Sequence, residues 1–212
     1  MRPHDISIQD ISIVDLSPHD AALVEALVPI SVRAGALNSP DWLPTPERAR
    51  AEIERVAAGP GVCRALLEGG TPRGWAGAAP CADTAWELHP LLVDPARHGA
   101  GLGRRLVADV ERLAAAAGAL TMDLSTSDAT AATTIGGVEL FPDPLAALRR
   151  LDVVDARVGH AFRFWQKVGY AVVGVLPDAE GVGVPSIRLA RSLRRTPPLA
   201  GPLRAPAGRP RS

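Results

Sequence analysis

Val93-Asp94-Pro95-Ala96-Arg97-His98-Gly99-Ala100-Gly101-Leu102-Gly103-Arg104-Arg105-Leu106-Val107 is the stretch whose reading decides the fold. The apolar run 88–93 stops at Asp94-Pro95, three glycines follow at alternate positions, and an amphipathic pattern begins. That order spells a strand, a glycine-rich turn and a helix start. The first turn of a helix carries amides without intrahelical partners together with the positive end of its dipole, so it receives phosphate well. Glycines accept positive φ and let a ligand approach the backbone closely. The stretch therefore reads as a pyrophosphate cradle. A plain tight turn would not need three alternate glycines and their conformational entropy.

Spacing narrows the kind of cradle. A P-loop needs Lys followed by Ser or Thr after its last glycine, and Arg104-Arg105 stand there instead. The dinucleotide fingerprint G-x-G-x-x-G needs glycine at 104, which is Arg. Asp123 lies about twenty residues beyond Gly103, where a ribose-binding acid would sit, and keeps that alternative open.

With 212 residues, 47% of them hydrophobic, the chain can bury one full core. One domain is expected over 1–193, followed by a disordered tail over 194–212 that holds five Arg, no acid and no periodicity. Charge is balanced, 23 basic against 23 acidic residues, so nothing global points to nucleic acid. Cys63 and Cys81 form neither a metal-ligand spacing nor a disulfide framework, and no metal is expected. No apolar signal region opens the chain and no run reaches the length of a membrane span, which favours a cytoplasmic protein.

Residues 6–14 alternate loosely and read as a first strand. Ser17-Pro18 and Thr45-Pro46 read as two helix starts, each a cap with Pro at the first helical position. Residues 62–68 and 73–79 read as a hairpin, 84–93 as the next strand, and 101–117 as the helix fed by the glycine turn. Leu102, Leu106, Val110 and Leu113 form that helix's buried stripe, with Arg104, Arg105, Asp109 and Arg112 pointing away. A strand at 120–124 precedes a long, partly helical insertion at 126–157. A short helix at 160–168 and strands at 170–176 and 186–189 close the chain.

The opening stretch resembles the acetyl-CoA motif V-x-P-x-x-Q/R-G-x-G-I/L-G-x-x-L of the GNAT N-acetyltransferase superfamily. It departs once, where His98 replaces the usual Gln or Arg. Phe164-Trp165-Gln166-Lys167-Val168-Gly169-Tyr170 is similar to a second GNAT segment, F-Y-x-K-x-G-F/Y. The resemblance covers residues 8–192. It implies an α/β (α+β mixed) fold, a central mixed, mostly antiparallel sheet flanked by helices on both faces. It also implies acetyl-CoA as co-substrate, bound by Leu92, Val93, His98, Gly99, Ala100, Gly101, Leu102, Gly103, Arg104, Phe164 and Trp165. Asp41-Trp42-Leu43, residues 86–91, Thr133-Thr134, His160 and residues 173–181 resemble the branch of aminoglycoside 6'-N-acetyltransferases. Two acidic positions of that branch are missing, at Ser127-Asp128-Ala129 and Pro185-Ser186.

Acetyl transfer needs a base, because an ammonium cannot attack a thioester. Glu87, mid-strand just before the cradle, is the candidate; an ordinary outward-facing residue is its alternative. His89 shares side parity with Glu87 and would suit a relay, although a satisfied core histidine is the preferred reading. Trp86, Glu87, Asp123 and Asp128 are the expected acceptor-binding residues, with Glu139, Asp143, Asp152 and Asp155 as further acids in the insertion. Relatives place a Tyr general acid where Trp165 stands, and an indole N–H does not release a proton at working pH. Two classes remain: an N-acetyltransferase for a small-molecule amine such as an aminoglycoside, and a non-catalytic acyl-CoA-binding module. The expected partner is the amine substrate, without nucleic acid or membrane, and a homodimer is left open.

Overall fold

A computed structural model describes residues 10–37, 39–155 and 160–194. The expected strand residues 6–9, the end of the insertion and the tail beyond 194 lie outside the described residues. Alternation near the start gives β1 (Ile11–Asp15). The first helix, α1 (Ala21–Gly35), starts later than Ser17-Pro18 suggests. Ser17 Oγ closes a local turn on the His19 amide at 3.2 Å, and Asp20 makes the cap by accepting from the Leu23 amide at 3.1 Å. A carboxylate at that position gains from the helix dipole as well as from the hydrogen bond. Helix α2 (Pro46–Ala57) begins as expected, with Thr45 Oγ1 accepting from the Arg48 amide at 3.3 Å.

Three antiparallel strands follow: β2 (Val62–Glu68), β3 (Thr71–Ala82) and β4 (Ala85–Val93). Strand β3 outruns the expected 73–79 at both ends because its terminal residues pair with Glu68 and Ala85. Helix α3 (Leu102–Ala116) leads to β5 (Thr121–Ser127). The insertion contributes α4 (Pro144–Arg149), and α5 (Ala161–Lys167), β6 (Ala171–Leu176) and β7 (Ser186–Ser192) complete the chain. The seven strands form one sheet in the order β1-β2-β3-β4-β5-β7-β6. Among the described residues only the β4–β5 pairing of these strands is parallel, so the mixed, mostly antiparallel sheet with helices on both faces is the observed architecture.

Each face has its own core. One joins Val24, Leu27, Ile53 and Trp75 beneath α1 and α2; the other joins Leu102, Leu106, Val110, Trp86, Met122 and Phe162 beneath α3 and α5. Leu113 is only partly buried, while Val107 and Ala114 complete the α3 stripe. Asp109, expected to point away, instead pairs with Arg64 of β2 at 2.7 Å.

Two features of β4 prepare a site. Its pairing with β5 lasts for Ala85↔Thr121, Trp86↔Met122 and Glu87↔Asp123 only; beyond them β5 continues against β7, and the sheet splits into a V. Its register against β3 also shifts around His89-Pro90, a bulge. The extra residue reverses the side-chain alternation, so Trp86 and Leu88 lie in the α3-side core but Leu92 lies in the α1-side core.

Candidate functional site

The turn after β4 is held from below by Asp94, which is 5% exposed and accepts from the Ala96 amide. Burial alone would raise its pKa, but the Ala96 amide, Arg33 and Arg73 outweigh burial and hold the carboxyl below its usual range. After the single 3-10 turn Pro95–Arg97, His98 donates its Nε2–H to the Val93 carbonyl at 3.1 Å, tying the loop to the end of β4. Gly99 and Gly101 then take φ of +83° and +79°, and a Cβ at either would meet nothing within 4 Å. Gly101 opens α3 without a side-chain cap. The first amide to bond within the turn is that of Arg105, to the Gly101 carbonyl at 3.2 Å. Among the described residues the amides of Leu102, Gly103 and Arg104 have no partner, and the Arg104 and Arg105 side chains are exposed beside them. Three free donors at a helix start with two guanidiniums are suited to an anion.

The side chains expected at the cofactor divide into two groups. Phe164 is partly buried and packs on Gly103, whose Cβ position lies 3.3 Å from the Phe164 ring. Leu92 and Leu102 bury their side chains, leaving only backbone to a ligand. Trp165 corrects the expectation: it is 7% exposed and packs edge-on against Phe164 and Tyr170, at ring distances of 5.0 and 5.3 Å, as part of the core. Tyr170 does not replace the missing acid. It is buried, and burial together with Glu111 pushes its phenol's pKa well up.

On the α2 side of the split, a cavity of about 430 Å³ is lined by Glu87, His89, Arg55, Pro60, Cys81 and Ser125 among others. Glu87 is exposed and has no hydrogen bond or ion pair among the described residues. His89 is not a core histidine, contrary to the preferred reading. Its side chain is 46% exposed, its Nε2 lies 3.1 Å from Glu52 Oε1, and its ring rests 5.3 Å from that of Trp42. Burial opposes the charge of Glu52, but Arg55 and His89 prevail and bring its pKa down to about 2. Nothing in the sequence links position 52 to position 89. Glu52 lies beside the buried residue Ile53 of α2, and only the packing of that helix over the β4 bulge brings the two together.

The other expected acceptor residues fare differently. Asp123 lies beside Glu87 across the β4–β5 pairing but is ion-paired with Arg188 of β7. Trp86 faces away from the cavity and is buried in the α3-side core, because Glu87 and its neighbours alternate sides. Asp128 is 1% exposed and accepts from the Ala132 amide (2.7 Å), the Thr133 amide (3.1 Å) and the Thr133 hydroxyl (2.5 Å). It builds a turn and has no oxygen to spare for a substrate. Glu139 accepts from the Phe141 amide, Asp143 caps α4, and Asp152 pairs with Arg163. No cluster of three metal-ligating side chains occurs among the described residues, and no helix there is long and apolar enough to cross a membrane.

A split mixed sheet, an amide cradle at the end of β4 and a free carboxylate on the same strand define a class of acyl-transfer fold. The model of the acetyltransferase (GNAT) family matches residues 29–134, and the chain belongs to that family. An aminoglycoside 6'-N-acetyltransferase solved with coenzyme A is 27% identical, with 88% of this chain and 99% of that one covered at a TM-score of 0.76. The aminoglycoside 6'-N-acetyltransferase of Enterococcus faecium is 28% identical over the same shares, with a TM-score of 0.74. The ribosomal-protein-S18-alanine N-acetyltransferase of Escherichia coli shares the fold at 15% identity, with 91% and 99% covered and a TM-score of 0.59. No curated protein matches the sequence.

Proposed function

We propose that the chain transfers the acetyl group of acetyl-CoA to a primary amine of a small molecule, by direct attack in a ternary complex. The observation that carries this reading is the free Glu87 carboxylate, set on the strand that ends in the amide cradle. The amides of 102–104, with Arg104 and Arg105, are suited to a pyrophosphate. The split between β4 and β5 offers an extended pantetheine arm a path between strands, and acetyl-CoA supplies the thioester. Glu87 takes the proton from the acceptor's ammonium, directly or through one water, and leaves its lone pair free for attack. A backbone amide near Val93 is suited to hold the oxygen as it gains negative charge. The C–N bond forms, the C–S bond breaks, the second proton of the new amide nitrogen passes to solvent, and solvent protonates the thiolate, whose pKa of about 8.5, judged by cysteine, makes a dedicated acid dispensable. A buried Trp165 agrees with that last step.

The family and the free Glu87 favour transfer over a non-catalytic acyl-CoA-binding module. For the acceptor, we infer an aminoglycoside amine from the neighbours at 27 and 28% identity. The test is release of free thiol from acetyl-CoA with an amine panel that includes kanamycin, tobramycin and simple monoamines. Amine-dependent thiol release is expected, and with the aminoglycosides it should weaken as salt is added. Release with monoamines alone would overturn the aminoglycoside reading; release with none would overturn acetyl transfer.

A further inference from the structure

We infer that Arg188 is a specificity-determining residue: its guanidinium occupies the Asp123 carboxylate that would otherwise take a second ammonium of the acceptor, and so limits how tightly the groove grips a polyamine such as an aminoglycoside. The inference rests on the proposed amine acetylation at Glu87 and names the residue that sets the grip on a polycationic acceptor.

Pairing register carries the argument. Glu87 and Asp123 are partners across β4–β5, and Ser125 and Arg188 are partners across β5–β7. Cross-strand partners, and residues two apart on one strand, share a face of the sheet. Glu87, Asp123, Ser125 and Arg188 therefore lie on the face that carries the cavity, which Glu87 and Ser125 line. The Cys81 thiol senses the same grouping: burial raises its pKa first, Asp123 and Glu87 raise it further, and Arg188 opposes them.

Counting charges on that face gives Arg188 its meaning. Glu52 is matched by Arg55 and His89, and Asp123 is matched by Arg188. Among the described residues Glu87 is the one carboxylate of the three without a cation. A single ammonium can settle on Glu87. A second ammonium, reaching for Asp123, must displace a guanidinium that the backbone of β7 holds in place, and such a tethered competitor acts at high effective concentration. Of the acids of the insertion, Asp128 is closed into its own turn and Asp152 is paired with Arg163.

The experiment is calorimetric titration of tobramycin, a polyamine, and glucosamine, a monoamine, into wild type, Arg188→Gln, Asp123→Asn and the double variant. Arg188→Gln should bind tobramycin about tenfold or more tightly, the scale of one hydrogen bond to a charged group, with glucosamine unchanged. The double variant, which lacks the freed carboxylate, should lose that gain. Unchanged tobramycin affinity in Arg188→Gln would overturn the inference. So would a double variant that keeps the full gain, since the tighter binding would then not come from the Asp123 carboxylate. Thiol release measured on the same samples judges acetyl transfer separately: its absence with both amines would sink the proposed activity, while the affinities still decide the role of Arg188.

Discussion

Two glycine-bearing turns of this chain do opposite things. In the turn at 99–103, Gly99 and Gly101 adopt positive φ, and a Cβ on either would touch no protein atom within 4 Å. In the turn at 128–137, a Cβ on Gly136 would stand 2.4 Å from Asp128 Oδ2 and 2.7 Å from the Ala131 Cα. The first turn keeps its amides unsatisfied and open; the second spends its polar groups on itself, with Asp128 as the hub. Open space at a positive-φ glycine does not mark a ligand by itself, since Gly69, Gly70 and Gly137 have it too; the unsatisfied amides of 102–104 set the first turn apart. A glycine needed because its neighbours crowd it marks a closed piece of scaffold.

That contrast predicts where substitutions hurt activity and where they hurt folding. Glu87→Gln, on the open side, should cut turnover by ~10²-fold or more with little change in acetyl-CoA affinity. The loss should shrink at high pH, where the acceptor amine is already neutral; a rate profile against pH checks both statements. Asp128→Ala, on the closed side, should cost about 2–3 kcal/mol of stability in denaturant unfolding, because it strands buried amides at 132 and 133. Acetyl-CoA affinity of that folded variant should not move. Had Asp128 gripped the acceptor, the KM for the amine would rise instead.

Glu52→Gln should act more gently, lowering turnover ~3- to 10-fold by loosening His89 within the groove. It also has a signature in acid. Because the folded pKa of Glu52 lies at about 2 against an ordinary 4.5, its carboxylate stabilises the fold above about pH 4.5. That contribution is lost as the pH falls toward 2, so wild type and Glu52→Gln should converge in stability over that window. Equal stability at pH 7 would show that the Glu52–His89–Arg55 contacts contribute nothing. Trp165→Tyr should have the smallest effect, since the ring at 165 packs against Phe164 and Tyr170. A tenfold rise in turnover would reveal that thiolate protonation limits the rate and that a phenol there reaches the sulfur.

What could be read from the sequence was what local chemistry specifies. The turn after β4 and its open amides are backbone features, so glycine spacing and the onset of an amphipathic helix were enough to predict them. Thr45-Pro46 started α2 as expected for the same reason. Ser17-Pro18 misled because Asp20, three residues on, offered the helix a charged cap. The groove is made of residues from α2, β3, β4 and β5, and no local pattern brings those together. His89 looked like core until the β4 bulge and Glu52 were seen around it. Trp86 and Asp128 looked like substrate contacts because their types were right, but burial on the far face and closure into a turn remove both. Arg188 gave no local sign at all, since its partner lies 65 residues away.

The central claim is that one strand divides the labour, its C-terminal turn binding acetyl-CoA through backbone and its middle serving the acceptor through Glu87. Calorimetric titration of acetyl-CoA into wild type, Gly101→Val and Glu87→Gln tests it most directly. Binding should vanish in Gly101→Val, where a side chain is thrust among the free amides, and should match wild type in Glu87→Gln. Wild-type affinity in a folded Gly101→Val, or loss of affinity in Glu87→Gln, would contradict the account.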